Sequence, residues 1–175
     1  MHARHVITII TMAGLILSAA ACAIPFSEVI EFDPVTLGSQ SAYHEDTIEV
    51  PEDARNEAIQ YSGVEFTYSV TPVGDLNEDV TVVMYISDDL EHDSNRTAPG
   101  EDFEELFNVT LQAGDDTPVA GLADSQKMLE ILNTRQESFV VAAKIQKEAG
   151  VIPDFGDGQI EITMTVTIQG TIQPL

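Results

Sequence analysis

The chain has 175 residues, 43% of them hydrophobic, and sets 30 Asp and Glu against 7 Lys and Arg for a formal charge of −23. That length suits one domain with a real core and is hardly enough for two. A field of this sign repels phosphate backbones and anionic lipid headgroups, which excludes nucleic acid as a partner. Three readings of the acidity remain: a solvated, self-repelling surface, cation binding at one end, or steering of a cationic partner.

The chain opens with a short basic segment, Met1 to His5, followed by an apolar run from Val6 to Leu17. Ser18-Ala19-Ala20-Ala21 then leads to Cys22, the only cysteine. That order defines a secretory signal peptide over residues 1–21, and its apolar run falls short of the ~20 residues that span a bilayer. A single cysteine excludes a disulfide within the chain. Small residues before a cysteine at the end of such a run resemble the lipobox of bacterial lipoproteins. The resemblance covers only residues 1–22. It implies cleavage before Cys22, lipidation of that residue, and the membrane as a partner through the anchor. Ala23 stands after the cysteine where Asp would be the retention signal, which implies the outer membrane of the bacterial envelope. Position 19 carries Ala where the lipobox usually has Leu, so cleavage at an Ala-x-Ala site, 19–21, stays open. Residues 22–27 then read as the lipidated cysteine and a tether, and 28–175 as a single domain. Loss of Arg4 with the signal brings the formal charge to about −24.

Beyond the tether, side chains alternate with the period of a strand. Residues 28–37 begin as a strand, but Pro34 has no N–H to donate and belongs on an edge or at a bulge. A short strand piece at 47–50 and a helical turn after Pro51 follow. From 64 to 71, Val64, Phe66, Tyr68 and Val70 share the inner face. Ile59 and Tyr61 have the opposite parity, which a one-residue bulge at Gly63 reconciles. Strands are expected over 79–87 and over 105–113, the latter with Phe107, Val109 and Leu111 inward. Leu122, Met128, Leu129 and Leu132 fall near one helical face, which predicts a helix over 124–134 capped by Asp124 or Ser125. Its narrow stripe makes it a lid on a sheet edge or on an open end. A strand over 138–146 turns Phe139, Val141, Ala143 and Ile145 inward. The last strand does the same with Ile160, Ile162, Met164, Val166 and Ile168. The fold class is mainly β: an antiparallel β-sandwich of about six to eight strands with one short helix.

The acids concentrate in the loops. If the strands from 64 onward simply run up and down, loops 88–104 and 148–158 meet at one end. That end would gather Asp88, Asp89, Glu91, Asp93, Glu101, Asp102, Asp154 and Asp157, a candidate calcium site, since Ca2+ takes six to eight oxygens from flexible loops. An EF-hand starting at Asp75 fails, because its sixth position is Val80 instead of Gly and its twelfth is Ile86 instead of Glu. Catalytic motifs are missing: there is no Gly-x-Ser-x-Gly elbow, no His-Glu-x-x-His helix and no Cys-x-x-Cys pair. His44 and His92 each stand beside acids without forming a recognisable arrangement. The sequence therefore points to a non-enzymatic, lipid-anchored envelope protein with a structural, adhesive or ligand-binding role. A calcium-dependent binding module and a hydrolase built on paired carboxylates are the alternatives.

Overall fold

The computed structural model describes residues 23–39, 41–90, 98–146 and 158–173. The expectations for the signal peptide, Cys22, Glu91, His92, Asp93, Asp154 and Asp157 lie outside these residues. Among the described residues, nine strands and one α-helix follow in chain order: β1 (Ile24–Glu31), β2 (Val35–Gly38), β3 (Tyr43–Glu49), β4 (Ile59–Val73), β5 (Val80–Ser87), β6 (Glu104–Leu111), β7 (Val119–Asp124), α1 (Gln126–Asn133), β8 (Ser138–Gln146) and β9 (Gln159–Ile172). A 3-10 turn at Glu52–Arg55 precedes β4.

The strands form two antiparallel sheets, and the β-sandwich expected from the alternation is what the chain adopts. The first sheet has the order β1-β9-β4-β7, with β2 also on β9, and the second β3-β8-β5-β6. β1 pairs with residues 165–172 of β9 and β2 with residues 159–162, so the two are one edge interrupted at Phe32-Asp33-Pro34. Pro34 sits in that break, on an edge, where its missing N–H costs no ladder bond. Counting β1 and β2 as one position, the strand order is that of an eight-position jelly roll.

The inward residues of β9, Ile160, Ile162, Met164, Val166 and Ile168, are all buried, as are Phe139, Val141, Ala143 and Ile145 of β8. The bulge in β4 is present: Tyr61 pairs with Gly170 and Gly63 with Gln169, which leaves Ser62 without a partner in the register. In the second sheet burial goes further than alternation implies. Val83, Ser87, Val140 and Ala142 point away from the core, yet each is at most 3% exposed. The run Val140-Val141-Ala142-Ala143 is apolar throughout, as strands buried on both faces are.

β3 begins at Tyr43, four residues before the expected piece, and two further boundaries differ. The first is the tether. Residues 24–27 belong to β1, paired with 169–172, so only Ala23 separates the strand from Cys22. Pro25 and Ser27 face outward on an edge, while Phe26 turns in and meets the Tyr61 ring edge-on at 5.8 Å. The second is the helix, which starts at Gln126 and leaves Leu122 in β7, 63% exposed. Its apolar stripe is Met128, Ile131 and Leu132, and Ser125 caps it by accepting the Met128 N–H at 3.0 Å. Replacing Ser125 with Ala is expected to cost about 1 kcal/mol, read as a lower midpoint in urea, because one orphan N–H loses its partner in a buried place.

The helix packs on β4 and β5 and closes one open end of the sandwich, as its narrow stripe suggested. Its C-terminus is a Schellman motif. Arg135 takes the left-handed position at φ 62°, its N–H donates to the Leu132 carbonyl at 3.2 Å, and the Gln136 N–H donates to that of Ile131 at 3.3 Å.

Candidate functional site

The pairing fixes which loops share an end. Ile24 and Ile59 both align with Ile172, and Ser87 aligns with Val140. This lower end carries the 3-10 turn, α1 and the strand ends at Ser87 and Glu104. Val73 aligns with Gln159 and Thr81 with Gln146, which define the upper end together with loops 74–79 and 112–118.

The simple up-and-down order expected for the strands is not the one the chain adopts. β7 is one more traverse than the sequence suggested, and it reverses the direction of every later strand. The strand ends that bracket 88–103 are therefore at the lower end, and those that bracket 147–157 are at the upper end. Asp154 and Asp157 lie outside the described residues, but the strands on either side begin and end away from Asp88 and Asp102.

The described members of the proposed calcium set are not clustered. Lys127 Nζ lies 2.6 Å from Asp88 Oδ1, which ties α1 to the end of β5. That hydrogen bond holds the Asp88 carboxyl below its ordinary range and raises the Lys127 ammonium. The Asp89 N–H donates to Ser87 Oγ at 3.0 Å, while Glu101 and Asp102 are exposed. Among the described residues, no three His, Cys, Asp or Glu side chains are placed to hold a metal ion.

Other acids shape turns. Asp79 Oδ1 accepts the Ala113 N–H at 2.9 Å, and the Leu76 carbonyl accepts the Gly114 N–H at 3.1 Å, so the two upper loops are tied together. Asp115 accepts the Thr117 N–H at 2.9 Å. The strand also takes apart the His44-Glu45-Asp46 run. His44 and Asp46 lie opposite Ala143 and Val141 on the core-facing side of β3, and Glu45 lies on the other side, where the Tyr43 hydroxyl donates to it.

The lower end holds a polar network that sequence reasoning missed. The Tyr61 hydroxyl donates to the Ala54 carbonyl, and burial pushes its pKa up to about 12. Arg135 donates to the carbonyls of Leu132, at 2.6 Å, and Ile59, and its guanidinium lies 5.6 Å from the Tyr61 ring centroid. The only sequence signal was the parity flip that turns Tyr61 inward. Glu28 faces inward opposite Ile168, and its pKa is raised by burial first and by the Asp53 charge second. A carboxyl raised in the folded state stabilises below its unfolded pKa, and that contribution is lost as pH rises through the folded value. Glu28→Gln is thus expected to raise the midpoint slightly at pH 7 and leave it unchanged near pH 3, checked by thermal melts across that range.

Asp53 lines an open depression of about 610 Å³ with Glu52, Arg55 and Asn56, where water reaches every carboxylate. The apolar crevice between the edges of the sheets, under Phe32, Ile48, Met128 and Phe139, holds about 10 Å³, at most the space of a single water. Neither is the closed pair of raised carboxylates that glycoside hydrolysis requires.

No family model matches the chain, and no curated protein matches it. Several solved structures align with most of it at low similarity. The Turnip yellow mosaic virus structure covers 97% of this chain and 92% of its own at 9% identity and a TM-score of 0.33. A family 29 carbohydrate-binding module covers 94% and 91% at 10% identity and 0.33. The particle of the Macrobrachium rosenbergii nodavirus covers 97% and 95% at 11% identity and 0.33. That the chain is an antiparallel β-sandwich rests on its own strand pairing.

Proposed function

We propose that this protein is a lipid-anchored component of a bacterial envelope whose sandwich serves a non-enzymatic structural, adhesive or ligand-binding role. The observation that carries the reading is the position of Cys22. It closes a signal-like segment and stands two residues before a strand that pairs along its whole length with β9. A cysteine so close to a rigid strand holds the folded domain against whatever it is attached to. The acidic surface keeps such a domain soluble and away from anionic polymers.

The test is the intact mass of the protein from a native membrane fraction. Residues 22–175 plus two or three acyl chains are expected. A mass without lipid would make this a soluble exported protein with a free thiol at or near its start.

A further inference from the structure

We infer that the lower end of the sandwich is a membrane-apposed surface, seated on a neutral headgroup layer through a row of isoleucines, with loops 74–79 and 112–118 turned away from the bilayer. The inference rests on the lipid-anchor reading and adds to it the face that meets the lipid.

The first ground is reach. Two residues extend at most ~7 Å, so an anchor at Cys22 holds Ile24 within that distance of the interface. The second is the register. Ile24 pairs with Ile172, and Ile172 with Ile59, so three isoleucines cross β1, β9 and β4 in a single row at the end nearest Cys22. Ile24 is 59% exposed and Ile172 37%, and Leu90, just beyond β5 at the same end, is 49% exposed. Isolated exposed apolar side chains need no explanation, whereas neighbours on adjacent strands, about 5 Å apart, form a patch.

The third ground is charge. Among the described residues the basic side chains are Arg55, Lys127, Arg135 and Lys144, and the first three lie at the lower end. The upper loops carry Asp75, Glu78, Asp79, Asp115 and Asp116 and no Lys or Arg. The lower end is acidic as well, because Asp88, Asp89, Glu101, Asp102, Glu130 and Glu137 there outnumber those three bases. With Glu28, Glu52, Asp53 and Glu57 these acids make the lower end anionic, so phosphatidylcholine-like headgroups suit it and anionic ones do not.

The experiment uses the full chain, processed with its own signal and reconstituted in phosphatidylcholine vesicles that carry a headgroup spin label. A fluorophore is placed at Glu57→Cys, at the lower end, or at Asn77→Cys, at the upper, and the intact mass of each sample reports acylation. Quenching several-fold stronger at 57 than at 77 is expected, with the difference shrinking in Ile24→Ser/Ile172→Ser. Equal quenching, or stronger quenching at 77, in acylated protein overturns the orientation and leaves the anchor standing. A mass without acyl chains overturns the anchor and the orientation with it. The comparison of positions 57 and 77 does not depend on the isoleucine variant folding.

Discussion

Phe66→Ala is expected to destabilise the protein by about 3–5 kcal/mol, the range for emptying a fully buried aromatic site. Phe66 is 0% exposed. Its ring stacks on Phe32 at 6.2 Å, and Phe32 meets Phe139 edge-on at 6.4 Å. The three rings link the sheets: Phe66 stands on β4, Phe139 on β8, and Phe32 bridges them from the break between β1 and β2. Truncation removes the middle ring's partner in the first sheet, and the two sheets cannot close on the space without moving that break. Domains have about 5–15 kcal/mol in total, so the variant would stand near its limit. Urea unfolding measures the effect. A loss below ~1 kcal/mol at unchanged m would mean that the core refills the site, contrary to the packing described.

Gly170→Ala has the second largest expected effect, about 1–3 kcal/mol by overpacking. A Cβ there would stand 2.6 Å from the Gln60 carbonyl oxygen and 2.7 Å from the Phe26 ring. The ring can turn away, but the carbonyl belongs to β4 beside its bulge and cannot move without disturbing the pairing of Tyr61 with Gly170. Removing the ring as well, in Phe26→Ala/Gly170→Ala, is therefore expected not to restore the midpoint. Recovery in the double variant would assign the conflict to the ring alone.

How far the sequence reveals this fold depends on what each strand has to say. β9, β4 and β8 present β-branched and aromatic residues at every second position, and their inner faces, including the bulge in β4, are legible in the sequence. β7 is not. Its inward positions are Val119, Gly121 and Ala123, and the Tyr68 hydroxyl fills the space that a Cβ at Gly121 would take. The Tyr68 ring in turn lies against Phe107, with centroids 3.7 Å apart. The apolar volume for that part of the sandwich comes from the partner strands, so β7 looks like a loop running into a helix. One missed traverse also reversed the direction of every later strand. Alternation reports which face a residue takes, but the end at which a loop emerges depends on the number of strands before it. The strands that flank residues 88–103 and those that flank 147–157 therefore end at opposite ends of the sandwich. The start of β1 was obscured differently, by Pro25 and by a short stretch whose only inward aromatic, Phe26, packs on a glycine.

The pairing of β1 also governs how the domain bears a load. Its eight residues lie antiparallel to β9 with their first residue at the lower end. A pull entering at Ala23 and resisted at the upper loops runs along the strand, so the rungs between β1 and β9 are sheared together instead of being peeled one at a time. A force applied at the start of this strand therefore meets the sandwich along its mechanically stiffer direction.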